Sequence, residues 1–278
     1  MSSFSPLILG LSVADGGPEA LRRSMTDRVA VVTGASHGIG RELAYRLTDV
    51  GATVIGVARD EPALAAIQKQ AEDSFHPLRL DLRDTDAATQ AARQLVARWG
   101  TPALLISNAG HSIHRYLPDY THRFHDIART AAVNYLGAVA FALPILGAMM
   151  DAGRGQLLSV SSTSADVPMP GWSAYTASKG AYELWLASVA PELAARGVSA
   201  TSVHLPRVAT AMSAPTAGHY PVPELTVAQA ASVICRAIVR RPREVAPWWA
   251  RAARLASASA PASVNRLWAA ALRRGIHP

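Results

Sequence analysis

Short runs of β-branched and aliphatic residues recur along this chain, and longer helix-patterned segments separate them. The runs are Val29–Thr33, Thr53–Ala58, Pro77–Asp81, Ala103–Ser107, Gln156–Ser161 and Val198–His204. Between them lie Ile39–Val50, Glu61–Asp73, Asp84–Trp99, His122–Asp151 and Ala174–Arg196. Strands this apolar need cover on both faces, and a helix between successive strands is the crossover of a βαβ unit. The pattern predicts an α/β fold: one domain with a doubly wound parallel sheet in a three-layer α/β/α sandwich. Gly51, Gly100, Gly153 and Gly197 stand where the helices should stop. A chain of 278 residues, half of them apolar, has enough material for that core.

Outside the pattern, composition sets the limits. Residues 1–26 are rich in serine, glycine and proline, and their one short apolar stretch, Pro6–Leu11, has no positive charge before it. That layout does not suit a secretory leader, so a mobile extension is expected, with Met25 as an alternative start. Residues 27–247 are assigned to the domain, and within them 206–224, broken by Pro206, Pro215, Pro221 and Pro223, reads as a lid. Thr130–Met150 is 21 residues without a charge, yet Asn134, Gly137, Pro144 and Gly147 favour a helix buried in a core or subunit interface over a membrane span. A single cysteine, Cys235, excludes an internal disulfide and fits a reducing, cytoplasmic setting.

Charge is lopsided. Residues 236–278 hold nine arginines and one acid, Glu244, a formal +8 in a chain whose total is +7, so everything before them sums to −1. No recognition motif accompanies that charge, and nucleic acid is not an expected partner. The basic helical tail 248–278 carries Trp248, Trp249 and Trp268 among its arginines. It suits an anionic membrane surface or simple packing on the domain, and the second is preferred.

Thr33-Gly34-Ala35-Ser36-His37-Gly38-Ile39-Gly40 joins the first strand to the first helix. Glycines there allow a tight turn and close backbone approach to a pyrophosphate, which the free N–H groups of the helix start then hold. The second strand ends in Ala58-Arg59-Asp60, where the adenosine ribose of a dinucleotide would lie. An acid in first place would select the 2′-hydroxyl of NAD. Arginine comes first here and suits a 2′-phosphate, with His37 in support, so NADP(H) is expected, although Asp60 argues the other way.

Tyr175-Thr176-Ala177-Ser178-Lys179 sets a phenol and an ammonium one helical turn apart. Of the 27 basic residues only Lys69 and Lys179 are lysines. A free tyrosine, with a pKa of about 10, is a poor acid–base group at neutral pH, and a nearby cation lowers that value. Alone, such a pair is more often surface decoration. Together with the glycine turn it resembles the short-chain dehydrogenase/reductase family, from about Asp27 to Met212. Thr33–Gly40 is similar to the family's TGxxxGxG loop, Asp81-Leu82 to the pair bordering the adenine, and Ser107-Asn108-Ala109-Gly110 to its NNAG motif. Asn134, Ser162, Tyr175 and Lys179 match its catalytic tetrad, with Ser162 rather than Ser161 at the customary 13 residues before the tyrosine.

The resemblance implies a Rossmann-type fold and hydride transfer from a nicotinamide to a carbonyl carbon. Tyr175 would be the general acid, and Ser162 would polarise the carbonyl. Lys179 would lower the tyrosine pKa and hold the ribose, and Asn134 would place a relaying water. Cofactor contacts would come from Gly34, Ser36, His37, Gly38, Ile39, Gly40, Arg59, Asp81, Leu82, Asn108, Ala109, Gly110, Tyr175 and Lys179, and from Pro206, Val208 and Thr210 after the sixth strand. One departure stands out: Arg207 occupies the place of the family's glycine after Pro206, which alters the lid hinge. The family also implies a homodimer or homotetramer paired through the helices carrying Asn134 and Tyr175.

Phe124–Thr130, Val133–Gly137 and Pro206–Thr216 further resemble a subgroup containing fatty acyl-CoA reductases, which implies an apolar or acyl-chain substrate. His111 and His114, near the expected mouth, with Met212 and Tyr220 in the lid, are the candidate substrate contacts. The pairs His111/His114 and His122/His125 have a metal-like spacing but lack the carboxylate–histidine spacing typical of a metal hydrolase, and no metal is expected. Three functions remain open: reduction of a ketone or aldehyde, reduction of an acyl thioester to an aldehyde, and non-catalytic NADP-dependent regulation. The intact tetrad argues against the third.

Overall fold

The computed structural model describes residues 17–216 and 224–275. Seven strands run parallel: β1 (Val29–Thr33), β2 (Thr53–Ala58), β3 (Phe75–Arg79), β4 (Leu104–Ser107), β5 (Gly155–Ser162), β6 (Val198–Leu205) and β7 (Glu244–Val245). Their order across the sheet is β3-β2-β1-β4-β5-β6-β7. The order reverses between β1 and β4, which opens a crevice beyond their carboxyl ends, the usual ligand position in a doubly wound sheet.

Strand alternation divides the core. Ala30 and Val32 face α1 (Pro18–Met25), α2 (Gly38–Asp49), α3 (Glu61–Ala71) and α8 (Val227–Arg240). Val31 and Ile55 face α4 (Thr85–Trp99), α6 (Ala138–Asp151) and α7 (Ser173–Ala194). Phe141, Ile145 and Met149 of α6 are fully buried, each contributing about 1.5–3 kcal/mol of apolar stabilisation.

Several sequence expectations need correction. The strand expected at Pro77–Asp81 is Phe75–Arg79, on the sheet edge, where the missing N–H of Pro77 is tolerated. Phe75 belongs to it because its ring lies over Gly56, where a Cβ would collide. The extension expected to be mobile is helical over Pro18–Met25, because Leu21 and Met25, one turn apart, bury against the α8 layer. Residues 1–16 lie outside the described residues. Neither α8 nor β7 was anticipated, although Thr226 and Gln229 form a reciprocal capping box at the start of α8.

The charge-free segment runs from the end of one helix, α5 (Phe124–Ala131), through a π-helical turn at Ala132–Gly137 into α6. By length and composition Phe124–Asp151 could cross a membrane, but it packs on α4 and α7, with 44% of its most apolar window buried. The tail forms α9 (Trp248–Ser259) and α10 (Pro261–Arg273). Ala250 anchors α9, whereas α10 has no buried residue.

Candidate active site

The turn between β1 and α2 is built to admit something flat against its backbone. Gly34, at φ 69°, lies so near the β4 loop that a Cβ would sit 2.9 Å from Ala109 Cα. A Cβ on Gly40 would overlap the Gly34 carbonyl. Thr33 ties this turn to the β4 loop: its Oγ1 accepts from the N–H groups of Asn108 and Ala109, both at 3.0 Å. Asn108 Nδ2 in turn donates to the Thr33 carbonyl at 2.9 Å. Among the described residues no side chain caps the N-terminus of α2, which leaves its first N–H groups open, with Ser36, His37 and Ile39 around them. Thr210 closes over Gly38, its Cγ2 3.4 Å from where a Cβ would stand. These residues fit a dinucleotide pyrophosphate.

At the ribose end, Arg59 is exposed and makes no hydrogen bond or ion pair among the described residues. Asp60 is otherwise engaged: its Oδ1 accepts from Ala63 N–H at 3.0 Å as the cap of α3, and its Oδ2 faces His37 Nε2 at 3.6 Å. His37 thus turns toward Asp60 as well as toward the phosphate side. Asp81 is chelated by Arg83, with Nε at 2.9 Å and Nη2 at 2.5 Å from Oδ2. Those bonds hold its carboxyl below the usual range against an opposing effect of burial. Leu82 is buried, and its carbonyl fills the space above Gly137.

Beyond β4, Asn134 sits within the π turn, a distortion that recurs at functional sites. Its Oδ1 accepts from His111 N–H at 2.7 Å, and its Nδ2 donates to the His111 carbonyl (2.8 Å) and Ser178 Oγ (2.9 Å). The amide therefore fixes the loop after Gly110. Lys179 is buried and donates from Nζ to the Val160 carbonyl at 2.9 Å. Burial pushes it down to about 8, with the negative Glu183 opposing. Tyr175 contradicts one expectation. Burial raises its phenol above the usual value, and the opposing influence comes from Ser162, not from the charge of Lys179. Ser161 points into the core, while Ser162, at the end of β5, is half-buried and meets Tyr175.

His114 leads an aromatic wall that the sequence reading half anticipated. Its ring is 4.9 Å from Trp172, and Trp172 stands edge-on to Tyr175 at 6.1 Å. His111 keeps a buried Nε2 without a hydrogen-bond partner among the described residues, and burial, then Arg129, lowers its pKa. His125 instead lies beside Asp126, 3.3 Å away. Met212 is half-exposed past Thr210, and Tyr220 lies outside the described residues. Pro206 and Val208 lead from β6 into the lid root, which pairs in parallel with Leu225. Arg207, in the family's glycine position, staples that root: its guanidinium donates to the carbonyls of Thr216 (2.9 Å) and Ser213 (3.0 Å) and pairs with Glu224 at 2.6 Å.

Sequence reasoning missed Trp172, Ser178, Glu183 and His204. Glu183 had a signal, since Tyr175, Lys179 and Glu183 share one face at four-residue spacing.

A family model described as short chain dehydrogenase matches residues 28–220. The chain belongs to the short-chain dehydrogenase family. It is 39% identical over 249 residues to a protein of Acinetobacter baylyi named fatty acyl-CoA reductase, covering 87% of this chain and 84% of that one. A Mycobacterium tuberculosis protein of the same name is 32% identical, with 87% and 84% covered. Among solved structures, a metagenomic short-chain oxidoreductase in complex with NADP aligns at TM-score 0.69 and 27% identity, covering 80% of this chain and 97% of that one. A short-chain dehydrogenase from Streptomyces avermitilis aligns at TM-score 0.74 and 25% identity, covering 89% and 97%. The seven-stranded parallel sheet is thus the Rossmann-type fold of this family, and this short-chain dehydrogenase is an oxidoreductase with a cradle for a nicotinamide cofactor.

Proposed function

We propose that this short-chain dehydrogenase is an NADPH-dependent reductase of carbonyl groups on apolar or acyl-chain substrates. One observation carries the reading: the Tyr175 phenol faces Ser162 one helical turn before the buried Lys179, with Trp172 edge-on to its ring and His114 beyond. NADPH is favoured because Arg59 is uncommitted while Asp60 caps a helix. When bound, the cofactor supplies the hydride. Ser162 donates a hydrogen bond to the carbonyl oxygen, and Tyr175 transfers its proton to the oxygen as negative charge develops. A phenol raised by burial stays protonated at neutral pH, which suits an acid in the reductive direction. Lys179, near 8, titrates within reach of physiological pH and supports proton resupply.

A second reading, reduction of an acyl thioester, is favoured by a cluster on the loop and helix bordering the site. Arg115, Arg123 and Arg129 surround the buried Asp126 carboxylate at 3.3, 2.8 and 3.1 Å. Three guanidiniums on one acid leave surplus positive charge suited to the phosphates of an acyl carrier. Hydride addition would give a hemithioacetal, whose collapse releases the aldehyde and a thiolate that takes up a proton. Decanal, 2-decanone and decanoyl-CoA, each with NADPH and NADH, separate the readings. Tyr175→Phe should lower kcat about 10²–10⁴-fold and leave the NADPH Kd unchanged. Full turnover by that variant would remove Tyr175 from the mechanism.

A further inference from the structure

Behind the catalytic residues lies a chain of charges that none of these steps uses. His204 of β6 sits between two carboxylates, with Asp166 Oδ2 3.0 Å from Nδ1 and Glu183 Oε2 3.5 Å from Nε2. The His204 and Asp166 side chains are only 5% and 3% exposed. Glu183 also accepts from Ser159 on β5 at 2.8 Å and from Ser202 on β6 at 2.5 Å. The other Asp166 oxygen accepts from Arg254 of α9 at 3.1 Å. Arg254 also binds both oxygens of Glu244, at 3.0 and 3.3 Å, beside Arg251 at 3.0 Å. His204, Arg251 and Arg254 thus face Asp166, Glu183 and Glu244, and the charges balance. Burial works against an imidazolium here, but the two carboxylates outweigh it and push His204 up to about 9.

The carboxylates flanking His204 belong to different catalytic arms. Asp166 closes the short 3-10 turn that begins just past Ser162, whose Oγ accepts from the Ser164 N–H (3.2 Å) and hydroxyl (2.9 Å). Glu183 lies one helical turn past Lys179 and two past Tyr175, and its negative charge favours the protonated lysine. We propose that His204 is a positioning residue that yokes the Ser162 turn to the Tyr175–Lys179 face, and that Arg254 clamps this yoke from the tail. Stability alone would not call for such a cluster, since desolvation offsets much of what a buried ion pair gains. Fixing two arms against each other in one geometry is what directional hydrogen bonds supply and apolar packing does not. The tail, which the sequence reading set apart from the chemistry, then reaches the catalytic serine through one guanidinium.

The activity readout rests on the reductase reading, so the test carries a second readout that does not. Arg254→Met keeps the aliphatic stem and removes the charge. With decanal and NADPH we expect kcat to fall about tenfold with the NADPH KM unchanged, and Arg254→Lys to restore most of it. Backbone amide exchange over residues 162–166 should speed up at least tenfold in Arg254→Met, and further in His204→Gln. Wild-type kcat and wild-type exchange at 162–166 in Arg254→Met would overturn the proposal. If the wild-type enzyme reduces none of the three carbonyl probes, the reductase reading falls, and the exchange rates alone decide the yoke.

Discussion

The two sides of the crevice are held together by different forces. On the cofactor side, β1, α2 and the β4 loop meet through missing side chains and backbone hydrogen bonds: Gly34 and Gly40 leave room, and Thr33 and Asn108 stitch the gap. On the catalytic side, β5, β6, α7 and α9 meet through buried charges, with His204 shared by Asp166 and Glu183 and Arg254 joining from the tail. The first arrangement is insensitive to pH and intolerant of added volume. The second depends on protonation. A single molecule therefore offers two opposite vulnerabilities.

The largest effect should come from adding volume on the cofactor side. Gly40→Val would drive a side chain into the Gly34 carbonyl, with an expected loss of about 4 kcal/mol or more and of NADPH binding. Urea unfolding and a fluorescence titration check both, and an unaffected variant would break the contrast. Next comes protonation on the catalytic side. His204 rises from 6.5 to about 9 on folding, so its contribution is complete below about 6.5 and disappears as pH climbs through about 9. That contribution amounts to about 3 kcal/mol. Lys179, depressed to about 8, works in the opposite direction, so the informative quantity is the stability of wild type minus that of His204→Gln. This difference should shrink between pH 7 and 10; a flat difference would mean that the imidazolium is not the bridge.

Smaller still is the cofactor preference. Arg59→Glu should raise the NADPH KM about 10–100-fold and improve NADH, since one charge-assisted contact to a phosphate is worth roughly 1.5–3 kcal/mol. Unchanged KM values would place the 2′-phosphate elsewhere. Last, ending the chain after Ala260 removes α10, which has no fully buried residue, together with the residues after it, and should shift stability by no more than about 0.5 kcal/mol with kcat intact. A large loss would show that the clamp extends beyond Arg254.

The same contrast explains what the sequence could tell. On the cofactor side, the bounds of β1 and β2 and the glycine turn all lie within short windows where periodicity and steric need are visible. The catalytic side is assembled across distance. Arg254 and Asp166 are 88 residues apart, and nothing near either one announces the other. For the same reason the tyrosine's environment does not show in the spacing: spacing shows that a lysine is near, but burial and the direction of its Nζ toward Val160 exist only in three dimensions. Helix α8 is absent from the sequence pattern of strands and helices, which stops at the proline-broken segment 206–224 just before it.

The short helix ahead of β1 has a practical side. Leu21 and Met25 are part of the sheet's outer cover, and Thr26 Oγ1 donates to the Val50 carbonyl at 2.9 Å. A gene trimmed to begin at Met25 would give up Leu21 and the turn that seats it, leaving part of the α8 layer wet. Expression designs and affinity tags for this enzyme therefore belong upstream of Pro18, where they add to the molecule without unroofing it.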